Sequence, residues 1–430
     1  MKICMIGTGY VGLVSGTCFA DIGHQVYCVD KDLSKINQLN SGISPIYEPG
    51  LDELIKKNHK AKRLYFTSDL KKAVTVSDII FICVGTPNIK GSLKVDLSFV
   101  FKCTKEILAI TKKKKIIVTK STVPIGTGDQ IENIIKKKKK LFSVISNPEF
   151  LREGEAIRDF RYPDRIIIGS NSKNEFKTMK KLYSPLINKG AKFFTTSRRG
   201  AELIKYAANA FLATKITFIN EIANLCERSG INVKDIALGI GSDTRIGSRF
   251  LRPGPAYGGS CFPKDTRALI DTANFFKSNL SIVKAVVKSN EDRKLLLTNK
   301  IKRILKNKIK NKVITFLGVT FKPNTDDMRE ASSLFMIPKL NKLSAKIKYI
   351  DPSGKKKEFN NLKNVEFCNN ISSACHKSDL IIIHTEWNEF KLLNFKNLVK
   401  KKNFVIFDMR NVYSPLKMKN LKIKYFAVGR

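Results

Sequence analysis

The sequence predicts an α/β protein with two Rossmann-like, doubly wound parallel-sheet domains, joined by a long central helix and a helical dimerisation region. Three observations predict it. A glycine-rich turn near the start separates an apolar strand from a helix, the same plan of short apolar strands returns in the last third, and an unbroken helical stretch lies between. The boundaries fall at 1–195 for the first sheet domain, 196–300 for the helical domain and 301–430 for the second sheet domain.

The first strand is Lys2–Ile6, followed by Gly7-Thr8-Gly9-Tyr10-Val11-Gly12, a helix over Leu13–Ile22 and a second strand, Gln25–Val29, that ends at Asp30. Each part suits dinucleotide binding. The glycines allow a tight turn and a close backbone approach to a pyrophosphate, and the helix start offers free N–H groups. Asp30, 18 residues after Gly12, can accept from ribose hydroxyls, which favours NAD over NADP. Further strands over Asp78–Val84, Ile116–Thr119 and Phe142–Ile145 run into Gly85-Thr86-Pro87, Lys120-Ser121-Thr122-Val123-Pro124 and Asn147-Pro148-Glu149-Phe150-Leu151-Arg152-Glu153. Loops at the carboxyl ends of such strands border the ligand crevice.

The helix Gly200–Arg228, with Gly230 just beyond its end, is long for a globular protein. Its apolar residues Ile204, Ala208, Phe211, Leu212, Ile219 and Ile222 fit a dimer surface or a helix buried within one chain. The last third repeats the strand plan without the glycine fingerprint: Val313–Leu317, Ile347–Ile350 ending at Asp351, Ser378–Thr385, and Phe404–Phe407 ending at Asp408. Phe321, Lys322 and Arg329 there suit a different phosphate-bearing ligand.

At 430 residues, with 43% hydrophobic and 27% charged, the chain can bury more than one core, and collagen-like and mostly disordered classes are excluded. The uncharged run Ile3–Ala20 imitates a signal or membrane segment, but Gly7, Gly9, Gly12 and Gly16 interrupt it, so neither an export signal nor a spanning helix is expected. Nine cysteines without a CxxC pair form neither a disulfide framework nor a zinc set, and they fit a reducing cytoplasm. His24, His59, His376 and His384 show no ligand spacing, so no metal is expected. The net charge of +42 comes from 79 Lys+Arg against 37 Asp+Glu. The runs Lys112–Lys115, Lys136–Lys140 and Lys400–Lys402 lack interleaved aromatics, so they read as solvated connections rather than a nucleic-acid site.

The chemistry concentrates in Gly258-Gly259-Ser260-Cys261-Phe262-Pro263-Lys264-Asp265. Pro263 can open a helix, and a cysteine at a helix start beside a lysine is placed where thiolate is favoured. The other eight cysteines read as packing. Lys205 and Asn209, four apart on the long helix, share a face and can converge on one oxygen as an oxyanion would require, or else are an ordinary solvated lysine and a helix-face asparagine.

Together with Phe321–Glu330 and Thr385-Glu386-Trp387, these segments resemble the nucleotide-sugar dehydrogenases, the UDP-glucose/GDP-mannose dehydrogenase family, over essentially the whole chain. The resemblance implies two NAD-dependent oxidations of a sugar's primary alcohol, UDP-glucose to UDP-glucuronate, through a thiohemiacetal and a thioester on Cys261. GDP-mannose or a UDP-N-acetylhexosamine is the alternative substrate. It further implies that Lys205 and Asn209 stabilise oxyanions, that Asp265 assists proton transfer, and that Glu153 and Thr122 position the water. Gly7, Gly9, Tyr10, Val11, Gly12, Asp30, Thr86, Thr122, Glu153, Lys264 and Arg329 would face the cofactor. Glu149, Phe150, Leu151, Lys205, Asn209, Phe250, Leu251, Tyr257, Gly258, Lys322 and Arg410 would face the substrate, with Arg245 reaching a neighbouring subunit's ligand in a homodimer. Two positions depart from the family, Ala256 and Met409, where glycine is usual. A nucleic-acid-binding or redox-sensing protein that kept only the fold is the contrasting reading.

Overall fold

The structure is a computed structural model and describes residues 1–89, 91–138 and 140–430. It contains two sheets. Strands β1 (Lys2–Ile6), β2 (Gln25–Val29), β3 (Leu64–Thr67), β4 (Ile79–Ile82), β5 (Lys115–Thr119), β6 (Phe142–Ser146), β7 (Arg165–Gly169) and β8 (Lys192–Thr196) form the first. Strands β9 (Val313–Leu317), β10 (Lys346–Ile350), β11 (Val365–Phe367), β12 (Leu380–Ile383), β13 (Val405–Asp408) and β14 (Lys424–Ala427) form the second.

The strand order is β3-β2-β1-β4-β5-β6-β7-β8 in the first sheet and β11-β10-β9-β12-β13-β14 in the second. Both contain the doubly wound order 3-2-1-4-5-6, whose direction of winding reverses between the first and fourth strands. All ladders are parallel except β6 with β7. Parallel strands covered on both faces need continuous apolar runs, and Ile79–Ile82 and Leu380–Ile383 are buried at every position.

The repeat extends to hydrogen bonds. Gly7 donates its N–H to Val29, and the Thr8 N–H and hydroxyl reach Asp30 Oδ2 at 2.9 and 2.8 Å. In the second sheet Gly318 donates to Ile350, and the Val319 and Thr320 N–H groups reach Asp351 Oδ2 at 2.8 and 3.3 Å.

The chain divides into two compact units, residues 1–208 with 268–278, and residues 209–267 with 279–430. In the first, both sides of the sheet carry apolar clusters, one around Leu13, Phe19 and Phe81 and another around Ile80, Ile117 and Ile131. In the second, Phe316, Ile337 and Tyr349 pack with Ile219 and Leu297, while Ile381, Phe390 and Phe395 form the other side.

Two expectations are corrected. The first helix spans Tyr10–Asp21 and so begins inside the glycine turn, with Leu13 N–H bonded to Gly9 O at 2.9 Å. Of the lysine runs, 112–114, 136–138, 140 and 400–402 are exposed, and Lys139 lies outside the described residues. Lys115, however, opens β5 and is buried, its ammonium donating to the carbonyls of Thr75, at 3.0 Å, and Ser77. A lysine can enter a strand when backbone carbonyls take its donors.

Candidate active site

The glycine turn is shaped by close approach. A Cβ on Gly12 would stand 1.9 Å from Gly7 O, whereas one on Gly9 would meet nothing within 4 Å. The turn is therefore closed on the protein side and open above Gly9, as a cradle for a dinucleotide's phosphates must be. Burial alone would raise the Asp30 carboxyl, but the Thr8 N–H and hydroxyl and the Asp32 N–H outweigh it and hold the carboxyl below its ordinary range. A fixed, ionised acceptor at the end of β2 fits a ribose.

Beside the turn, Glu48 is a buried acid that sequence reasoning missed. It accepts from the Tyr10 hydroxyl, from Gly154 N–H at 2.6 Å and from Ala156 N–H at 2.7 Å, and so ties the glycine turn to the loop that carries Glu153. Its only sequence signal is an acid between Tyr47 and Pro49 ahead of a helix. Thr86 and Thr122 come together, the Thr86 hydroxyl donating to Thr122 O at 2.9 Å.

Further along the same unit, Lys205 Nζ lies 3.0 Å from Glu149 Oε1, both side chains buried, and Glu149 Oε2 accepts Leu151 N–H at 2.5 Å. The Phe150 ring takes the Lys205 ammonium at 5.2 Å and the Arg165 guanidinium at 4.0 Å. Glu149, Phe150, Leu151 and Lys205 are thus one cluster. A small pocket next to it is lined by Thr119, Ser121, Thr122, Val123, Ser146, Pro148, Glu202 and Lys205. Behind it Lys120, also missed, is wholly buried against Asn147 and Tyr183, and burial pushes its ammonium down to about 8.

In the second unit the helix Phe262–Phe275 starts immediately after Cys261, and Asp265 N–H bonds back to Cys261 O at 2.8 Å. Asp265 is 1% exposed. Its Oδ2 accepts from Asn209 Nδ2 at 2.6 Å and its Oδ1 pairs with Lys264 Nζ at 2.6 Å. The carboxylate thereby connects the long helix Arg198–Ser229 to the first turn of the cysteine helix. Cys261 Sγ lies 3.5 Å from Ser260 Oγ. Seven of the nine cysteines are buried, and Cys103 and Cys261 are the two that are half-buried.

The loop before Cys261 is pinned from several sides of that unit. Asn290 takes Tyr257 N–H and donates to Tyr257 O, while Asn220 and Arg293 hold Gly254 by its N–H and carbonyl. Gly259, at φ +80°, donates to Arg329 O, and a Cβ there would stand 2.7 Å from the Phe321 ring. Phe250 and Tyr257 both meet the Phe262 ring edge-on, at 6.1 Å. Leu251 is buried in the core, and Lys322 lies over Phe321 at 5.6 Å. Arg410 donates to His384 O and Phe321 O and faces Glu386 at 3.0 Å. Arg329 and Arg245 are exposed, their guanidiniums forked onto Asp327 and Asp243.

The two departures differ in kind. Ala256 has φ +141°, a conformation that glycine adopts freely and alanine does not. Met409 is fully buried in the core, so its side chain fills space that a glycine would leave.

Sequence models of the UDP-glucose/GDP-mannose dehydrogenase family match three stretches: its NAD-binding domain at residues 1–187, its central domain at 199–292 and its UDP-binding domain at 315–415. The chain belongs to this family. It is 48% identical to a UDP-glucose 6-dehydrogenase of Rhizobium meliloti, over 100% of both chains. Its fold matches the UDP-glucose dehydrogenase of Pyrobaculum islandicum at a TM-score of 0.91, with 32% identity over 99% of this chain and 97% of that one. A UDP-D-ManNAc dehydrogenase of Pyrococcus horikoshii matches at 0.87, with 25% identity over 100% of this chain and 99% of that one. The family's NAD domain covers the glycine turn and Asp30, and the cofactor is NAD. Among the described residues no group of His, Cys, Asp and Glu could hold a metal ion, and no helix is long and apolar enough to cross a membrane.

Proposed function

We propose that this chain oxidises the sixth carbon of UDP-glucose from alcohol to carboxylate, with Cys261 as the nucleophile that keeps the aldehyde bound between the two oxidations. The observation that carries the proposal is the buried Asp265, held by Asn209 and Lys264 one turn after a half-buried cysteine at a helix start. NAD, when bound, supplies the hydride acceptor for each oxidation. The turn Gly7–Gly12, with Tyr10 and Val11, and the Asp30 carboxylate would hold it, along with Thr86, Thr122, Glu153, Lys264 and Arg329.

The Cys261 thiol adds to the aldehyde carbon, giving a thiohemiacetal, and oxidation of that adduct leaves a thioester that water cleaves to the acid and the free thiol. The oxygen on the reacting carbon gains negative charge at each addition. The Lys205 ammonium and Asn209 amide donate to it, and Asp265 takes the proton released as the thiol or water attacks. Thr122 and Glu153 orient the water, and Glu149, Phe150 and Leu151 border the sugar. Phe250, Leu251, Tyr257, Gly258, Lys322 and Arg410 line the nucleotide-sugar site, with Lys322 and Arg410 as its cationic members.

The reading includes a homodimer in which Arg245 reaches the partner's ligand. Phe211, Phe218 and Leu225, spaced by seven on the long helix, are exposed and support it. Nine cysteines, none of them in a disulfide, support a reducing, cytoplasmic setting.

NADH released per sugar consumed tests the function, with UDP-glucose, GDP-mannose and UDP-N-acetylglucosamine offered in turn. About two NADH per UDP-glucose is expected. The same ratio with another sugar would keep the chemistry and move the substrate. One NADH would mean release of the aldehyde and would defeat the thioester route.

A further inference from the structure

Glu202 is absent from the roles above, yet it lies three residues before Lys205 on the same helix and is 3% exposed. Its carboxylate accepts Gly126 N–H at 2.7 Å, Gly128 N–H at 2.8 Å and the Ser146 hydroxyl at 3.0 Å. The two amides open the helix Thr127–Ile135, where backbone donors lack partners within the helix. Each donor leads to a proposed site segment. Gly126 and Gly128 follow Thr122-Val123-Pro124, and Ser146 ends β6 just before Asn147-Pro148-Glu149. Glu202 also lines the pocket that Thr122 and Lys205 share. The fit is close: a Cβ on Gly128 would stand 2.9 Å from Glu202 Oε1 and 3.0 Å from Ser146 Oγ.

We propose that Glu202 is a titratable positioning residue, whose ionised carboxylate clamps the Thr122 loop, the Glu149 segment and the Lys205 helix in one arrangement and whose protonation loosens it. The proposal rests on the roles proposed above for Thr122, Glu149 and Lys205. A carboxylate accepts from all three donors at once, whereas a neutral carboxyl must place a proton among groups that are themselves donors.

The charged groups around it are Asp129 and Glu132 on the helix Thr127–Ile135, which pair with Arg198, and Lys205 and Arg198 on its own helix; Ser146 faces it from β6. Burial raises the Glu202 carboxyl most, Asp129 adds to this, and the three hydrogen bonds oppose it; the result is about 7. The ionised form gains as pH rises through that value, so activity rises with it.

The test is kcat and KM for UDP-glucose from about pH 6 to about pH 9 in the wild type, Glu202→Gln and Ser146→Ala. The wild type is expected to show an acid limb centred near 7. Glu202→Gln keeps the shape and loses the charge, so its kcat should stay flat near the wild type's acid level, roughly tenfold down at alkaline pH, with KM within about twofold. Ser146→Ala removes a hydrogen bond that favours ionisation, so its limb should move to higher pH.

An unchanged limb in Glu202→Gln would overturn the proposal. Should that variant not fold, as judged by circular dichroism, an unmoved limb in Ser146→Ala overturns it instead. NADH stoichiometry in the same wild-type samples separates the failures. Two NADH per sugar with unmoved limbs defeats the clamp alone, whereas fewer than two defeats the underlying site.

Discussion

Cys261 differs from the other thiols by where its backbone puts it. Burial pushes the thiols of Cys18, Cys83 and Cys375 up to about 12, and that of the half-buried Cys103 up to about 11, where little nucleophilic thiolate exists at neutral pH. Iodoacetamide should therefore modify Cys261 ahead of Cys103, with loss of activity following the Cys261 peptide in mass spectrometry; faster labelling of Cys103 would contradict the assignment. Cys261→Ala should abolish acid formation, and full turnover by it would refute the thioester route. The proposed nucleophile, Cys261, stands out in the sequence because the glycines, proline, lysine and aspartate around it each restrict the backbone or the charge. Glu48, Lys120 and Glu202 were not legible, since each looks in sequence like any helix or loop charge. What sets them apart is burial among backbone and side-chain hydrogen-bonding groups supplied by distant segments, which no local spacing encodes.

Among the elements, those with a repeated physical demand were read well. The long helix was expected over Gly200–Arg228 and spans Arg198–Ser229, and Gly230 follows it at φ +72°. Strands β3, β8, β11 and β14 escaped notice because they are short or half-exposed, as in Lys192–Thr196, where no residue is buried; β7, five residues long and buried at four of them, escaped notice as well. The contact that fixes the end of the first helix was equally hidden. Asp21 accepts from Lys57 at 2.8 Å and Arg161 at 2.7 Å, and although burial works against its charge, these partners bring its carboxyl down to about 2. A depressed carboxyl stabilises the fold above its unfolded value of 3.8 and loses that contribution as pH falls towards 2. Asp21→Asn should lower stability at neutral pH by about 1–2 kcal/mol, discounted because Lys57 is largely exposed, and the deficit should vanish in acid. Urea titrations at neutral and acid pH read this directly; an equal deficit at both would mean that packing, not charge, is lost.

At the scale of the whole molecule, one winding order occurs twice with two turn chemistries. The second sheet repeats the Gly-to-strand and Asp-to-turn hydrogen bonds around Gly318 and Asp351, yet it carries Phe321 and Lys322 where the first continues as Tyr10 and Val11. Topology thus follows from apolar strand periodicity, whereas ligand class follows from a few turn residues, and both were readable. Assembly was less so, because apolar helix positions do not reveal which side meets the core. Ile219 is fully buried, and the exposed large apolar residues on the long helix are Leu203, Phe211, Phe218 and Leu225, the last three spaced by seven. Phe211→Glu with Phe218→Glu should shift sedimentation from the mass of two chains to that of one. If Arg245 completes the partner's site, two inactive variants should rescue each other. A mixed dimer of Cys261→Ala with Arg245→Ala has one site with both an intact cysteine and an intact partner arginine. Random mixing makes half the dimers mixed, so about a quarter of wild-type activity should return. No recovery after confirmed subunit exchange would place Arg245 in its own chain's site or outside the reaction.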